Sequence, residues 1–164
     1  MTSRTKRFSI SWLRKGAPKF MDELLQDLAA DKERIEETLL ALANTLRRKR
    51  RGFAELAAIA TCLHNCYSGM ENMLKRVVKH LQVPLPNSAT FHKDLLDLAV
   101  AQSIVSQELS EALDEYRTFR HFFVHGYGIA LQEAPLRPLA QNLPDIWNRF
   151  ETELENFITL RGNQ

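Results

Sequence analysis

"FAELAAIATCLHNCYSGMENMLKRVVKHL", residues 53–81, places Phe53, Leu56, Ile59, Ala60, Leu63, Tyr67, Met70, Leu74, Val77 and Leu81 at steps of three and four. At about 100° per residue these positions fall on one broad stripe, which predicts a long amphipathic helix. A strand would alternate with a period of two. Cys62 and Cys66 lie one turn apart, and His64 points away from their face. "CLHNC" therefore reads as two small buried residues, not a metal cluster.

Towards the N-terminus, Leu24, Leu25, Leu28, Ile35, Leu39, Leu42 and Leu46 repeat the same period from Met21 onward. They predict a first helix of about 27 residues. Asp22, Glu23 and Asp27 at its start, and Arg47, Arg48, Lys49, Arg50 and Arg51 at its end, suit the helix dipole before Gly52 breaks it. Towards the C-terminus, Pro84 and Pro86 end the second helix. Ser88 or Thr90 can cap a short third helix with Phe91, Leu95, Leu96 and Leu98. Ser106 or Ser110 can cap a fourth through Leu109, Leu113, Tyr116, Phe119 and Phe123, expected to run to about residue 127. A last helix carries Ile146, Trp147, Phe150, Leu154, Phe157 and Ile158; Pro144 fits its first turn or kinks a longer helix begun near Pro138. The expected architecture is all-α, an up-and-down four- or five-helix bundle over residues 19–164, preceded by a basic, flexible arm over residues 1–18.

The totals agree. With 164 residues, 45% of them hydrophobic, the chain suits one domain, and six glycines and six prolines are too few for a turn-rich sheet protein. No apolar stretch is long enough to cross a bilayer and no signal-peptide segment opens the chain, so a cytoplasmic protein away from membranes is expected. Glycine-rich phosphate loops, a Ser-His-Asp arrangement and zinc spacings are all missing from the sequence, so neither cofactor nor metal is expected. The net charge of +2 conceals segregation. Six basic residues lie in the first 20 and five are consecutive at 47–51, leaving all 20 acidic side chains among the remaining residues. Segregated cations fit a polyanion such as nucleic acid; a solvated tail and helix end would look the same.

One run resists the core pattern. "YRTFRHFFVHGYG", residues 116–128, inserts Arg120, His121, His125 and Tyr127 among phenylalanines. On a continuous helix Arg120 and Tyr127 would be about 20° apart and His121 and His125 about 40°, whereas Arg120 and His125 diverge by about 140°. Arginine offers planar donors that match phosphate, and histidine exchanges protons near neutral pH. If these groups converge on one phosphodiester, they suffice for metal-free cleavage of RNA, whose 2′-hydroxyl supplies the nucleophile that DNA lacks. The same residue types also serve as a structural network or an interface.

"RHFFVH" is R-x4-H with a polar residue after the arginine, and "HGY" extends it to R-x4-H-x-Y. With "LHNCYSGMENMLKRV" (63–77) and "FHKDLLDLA" (91–99), the chain from about residue 20 to 160 resembles the HEPN superfamily, and within it the HepT-like ribonuclease toxins paired with a minimal nucleotidyltransferase antitoxin. The resemblance implies a HEPN bundle that forms a homodimer through the motif-bearing helix, and metal-independent endoribonuclease activity, often on tRNA. It further implies that Arg120 holds the scissile phosphate, His125 is the acid/base group, His121 assists and Tyr127 is AMPylated by the antitoxin. Arg117 is expected either to add a phosphate contact or to pair with Asp114 or Glu111, and Glu71 and Asn72 either to line the cleft or to face solvent. The alternative is a catalytically silent HEPN bundle that binds nucleotide, RNA or a protein.

Overall fold

The computed structural model describes residues 19–126 and 131–161 and contains five helices: α1 (Lys19–Leu46), α2 (Phe53–His80), α3 (Phe91–Ala101), α4 (Gln107–Val124) and α5 (Glu133–Arg161). The stripe at 53–81 places α2 at the centre, packed against each of the other four helices. Along it Ile59, Ala60, Leu63, Cys66, Tyr67, Met70, Leu74, Val77 and Val78 are all buried. Removing such aliphatic side chains from water is worth about 1.5–3 kcal/mol each, so this face is the main source of cohesion.

The long helices run up and down. Helix α1 is antiparallel to α2, with Ile35 against Gly69 and the buried Asp31 2.8 Å from Arg76 Nε. Gly69 allows the closest approach, since a Cβ there would lie 2.7 Å from Ile35 Cγ1. Helix α4 is antiparallel to α2, with Phe123 against His64. Helix α5 returns antiparallel to α4: Tyr116 Oη donates to the Leu139 carbonyl at 2.8 Å, and Ser106 Oγ donates to Glu153 Oε1 at 2.8 Å. Lys32 of α1 pairs with Glu151 of α5 and closes the bundle on its far side.

After α2 the chain doubles back through residues 81–90 and enters α3 opposite the last third of α2. There Lys75 Nζ lies 5.1 Å from the Phe91 ring centroid.

Several boundaries differ from the sequence reading. Helix α1 ends at Leu46, so residues 47–51 form a loop beyond its last turn, and Gly52 serves as the N-cap of α2, its N–H donating to Glu55 Oε2 at 3.0 Å. Thr90 is the N-cap residue of α3 but spends its hydroxyl on Asp94. Ser106 caps α4, accepting from Leu109 N at 3.2 Å, while Ser110 is buried inside that helix. Helix α5 starts at Glu133 and contains both Pro138 and Pro144, five residues ahead of the earlier of the two expected starts. Both prolines are exposed, so each removes one backbone donor on the outer face without opening the core. Helix α4 stops at Val124 instead of continuing to 127. His125 is its C-cap, and Gly126 has φ +84°, the left-handed conformation that suits glycine just past a helix end. Tyr127, Gly128 and the arm over residues 1–18 lie outside the described residues.

Candidate functional site

The last two turns of α4 carry two separate polar groups, as the wheel spacing requires. On the outer side, His121 and His125 are exposed and their ring centroids are 4.2 Å apart. The i, i+4 spacing brings the two rings together at a tilt of 53°, and the helix closes directly behind them: His125 N donates to His121 O at 3.2 Å and Gly126 N to Phe123 O at 3.4 Å. Phe122 and Val124 alternate with these histidines and are 40% and 53% exposed, an apolar share unusual for a solvated helix end.

Arg120 faces inward and is half-buried. Its Nη1 donates to His92 Nε2 of α3 at 3.3 Å, while Nε is enclosed and has no hydrogen-bond partner among the described residues. His92 Nδ1 is in turn 2.7 Å from Glu71 Oε2 of α2, and Lys75 Nζ donates to the other oxygen, Oε1, at 2.8 Å. Glu71 is 3% exposed within the apolar stripe. Burial alone would raise its carboxyl, but the hydrogen bonds from Lys75 and His92 outweigh that and hold it below the usual carboxylate value. A charged carboxylate thus sits beneath the arginine and reaches it through an imidazole.

Two further buried groups border this cluster. His64, tilted against Phe123 with centroids 5.6 Å apart, has its imidazole pushed below the usual histidine value by burial first and by the Arg120 charge second. The Tyr67 phenol is pushed well up by burial, with the Glu71 charge adding to the effect.

Among the expected site residues, Arg120, His121 and His125 all lie on the final turns of α4, the first turned to the interior and the other two to solvent. Arg117 pairs with Asp114, its Nε 2.6 Å from Oδ1. That matches the ion-pair alternative. Glu71 belongs to the Arg120 cluster, whereas Asn72 is exposed and lines a separate groove with Glu23, Asp27 and Arg76. Tyr127 lies outside the described residues. His92 and His64 have no spacing in the sequence that links them to Arg120. Only one signal points to them: an acid at 71 inside an apolar stripe demands a buried partner. Cys62 and Cys66 are free, buried thiols, and no group of three metal-ligating side chains occurs among the described residues. No described helix is long and apolar enough to cross a membrane.

The basic loop at 47–51 stands where α2 begins and, through Arg51 and Glu133, beside the start of α5, whereas Phe123 near the end of α4 packs on His64, about three turns further along α2. Arg51 is tied to Glu133 and to the Leu46 carbonyl, and Arg48 pairs with Glu55 at 3.1 Å. Arg47, Lys49 and Arg50 are exposed.

An all-helical bundle with this polar helix end is of HEPN type. Residues 58–160 match the model of the HepT-like protein family, well over half of the chain. The chain belongs to that family, and the match spans the Arg120 cluster and the paired histidines while leaving out α1 and the basic loop. No curated protein and no solved structure matches the chain.

Proposed function

We propose that this protein is the ribonuclease toxin of a toxin-antitoxin pair, a cytoplasmic endoribonuclease that cleaves RNA, tRNA first among candidates, without a metal. The observation that carries this reading is the division of labour at the end of α4: one arginine is held on the inner side with donors still uncommitted, and two histidines with ring centroids 4.2 Å apart face solvent. In the proposed reaction the 2′-oxygen attacks phosphorus and the P–O5′ bond breaks, leaving a cyclic phosphate and a 5′-hydroxyl. His125, assisted by His121, takes the proton of the 2′-hydroxyl or supplies the proton that O5′ needs on leaving. Arg120 binds the non-bridging oxygens, whose charge is most concentrated in the crowded transition state. One chain offers this set once. A homodimer through the end of α4, with Phe122 and Val124 at the contact, would bring two sets to a single cleft.

Tyr127 is the proposed point of control. An adenylate on its oxygen would place a bulky anion just after the histidine pair, obstructing RNA by volume and repulsion. The modifying partner would be a nucleotidyltransferase antitoxin.

The test is cleavage of tRNA by the purified chain in EDTA, with His125→Ala and Arg120→Ala alongside. Cleavage lost in both variants supports the enzyme. No cleavage by the wild type at high protein concentration would leave a silent bundle that binds RNA or a protein. Co-expression with a neighbouring nucleotidyltransferase should add the mass of one or more adenylates at Tyr127, and sedimentation of Phe122→Glu/Val124→Glu should show monomers where the wild type is a dimer.

A further inference from the structure

Arg120 is anchored unusually. A buried arginine is ordinarily neutralised by a carboxylate that takes two of its donors in a fork. Here the nearest buried carboxylate, Glu71, is instead shared between Lys75 and His92, and only His92 reaches the guanidinium. Resting on the ribonuclease reading, we propose that His92 is the positioning residue for Arg120, fixing the guanidinium for phosphate while leaving its charge and most of its donors free.

The hydrogen-bond chemistry determines the arrangement. A guanidinium can only donate, so the His92 Nε2 facing Nη1 must present its lone pair. The imidazole proton is then on Nδ1, where it meets Glu71 Oε2 at 2.7 Å. Glu71 fixes the tautomer and the ring plane, and Lys75 balances the carboxylate's charge. Arg120 therefore keeps its positive charge without an ionic partner among the described residues. A direct carboxylate in place of His92 would hold the arginine as firmly but would compete with the phosphate for the same donors.

Two amides separate the contacts of His92. Gln places its terminal amide near the position of Nε2 and can still accept from Arg120; Asn places its amide near Nδ1 and keeps only the Glu71 side. His92→Gln should retain most of the wild-type kcat on tRNA. His92→Asn should lose on the order of tenfold, the worth of one well-placed hydrogen bond, although it keeps the Glu71 contact and so melts no lower than His92→Gln. RNA affinity measured in a His125→Ala background should fall in the same order. Equal rates for wild type and His92→Asn, or equal losses in both variants that follow their melting temperatures, would overturn the proposal while leaving the ribonuclease reading intact. A wild-type chain that cleaves no RNA would overturn that reading, and with it the positioning role of His92. The side-chain 15N spectrum provides a check independent of activity: His92 Nε2 should resonate as an unprotonated nitrogen and shift on Arg120→Ala. An Nε2-protonated ring would also overturn the proposal.

Discussion

Glu71 shows how one buried side chain can couple stability to the site. Its carboxyl titrates lower in the folded chain than in the unfolded one, so on acidification the unfolded chain takes up the proton first. The stabilisation is therefore complete above about pH 4.3 and is lost as the pH falls through the lower, folded value. Melting temperatures from pH 7 to pH 3 should show this loss in the wild type and a flatter profile in Glu71→Gln, which starts on the order of 1–3 kcal/mol less stable because a buried hydrogen-bonded charge has gone. Residue chemistry of this kind is only half visible in a sequence. The polar run at 120–125 announces itself, because arginine and histidine interrupt phenylalanines. Of the supporting pair, Glu71 is expected either to line the cleft or to face solvent, and His92 carries no signal of its own. Glu71 and His92 are 21 residues apart, and His92 and Arg120 are 28 apart, and no spacing rule joins positions on three helices.

At the level of elements, packing and charge can be tested separately. Alanine usually improves a helix interior by up to about 1 kcal/mol over glycine, but at Gly69 its Cβ would fall 2.7 Å from the buried Ile35. Overpacking costs about 1–3 kcal/mol, so Gly69→Ala should be net destabilising by urea denaturation. Adding Ile35→Val should recover part of the loss. The 47–52 loop allows the opposite manipulation, since Arg47, Lys49 and Arg50 are exposed. If these cations meet RNA phosphates, reversing them should weaken binding and reduce the slope of log affinity against log salt by roughly 0.7–0.9 for each phosphate no longer neutralised, with the cleavage position unchanged. An unchanged slope would identify them as a solvated turn. Helix periods are legible along most of α2, whose long apolar stripe departs from the pattern at Phe53, which is exposed, and at the buried Glu71. Ends are less so. Pro138 looks like a start signal and Pro144 like either a start or an interior kink, yet both lie inside α5, because an exposed proline costs the outer face one hydrogen bond while Leu136, Ala140, Leu143 and Trp147 still bury the inner one. At α4 the glycine at 126 is the correct stop signal, and the helix obeys it before Tyr127.

For the molecule as a whole, three antiparallel pairings and a doubled-back third helix bring one small site together from distant parts of the chain. The bundle is readable from composition and period because packing four long apolar stripes has few solutions. The position of α3 is not, since it depends on how residues 81–90 return and not on any stripe. That segment has a thermal consequence. At 11 residues α3 is too short to persist as a helix in water by itself, so its order depends on contact with α2 and α4. Warming should release it before the long helices melt. On the proposed ribonuclease reading, cleavage should be lost reversibly some degrees below the temperature at which the circular dichroism collapses, a gap that heating curves of the two signals would expose. If it is the toxin proposed above, such a chain would carry its own upper temperature limit for harm, set by its shortest helix.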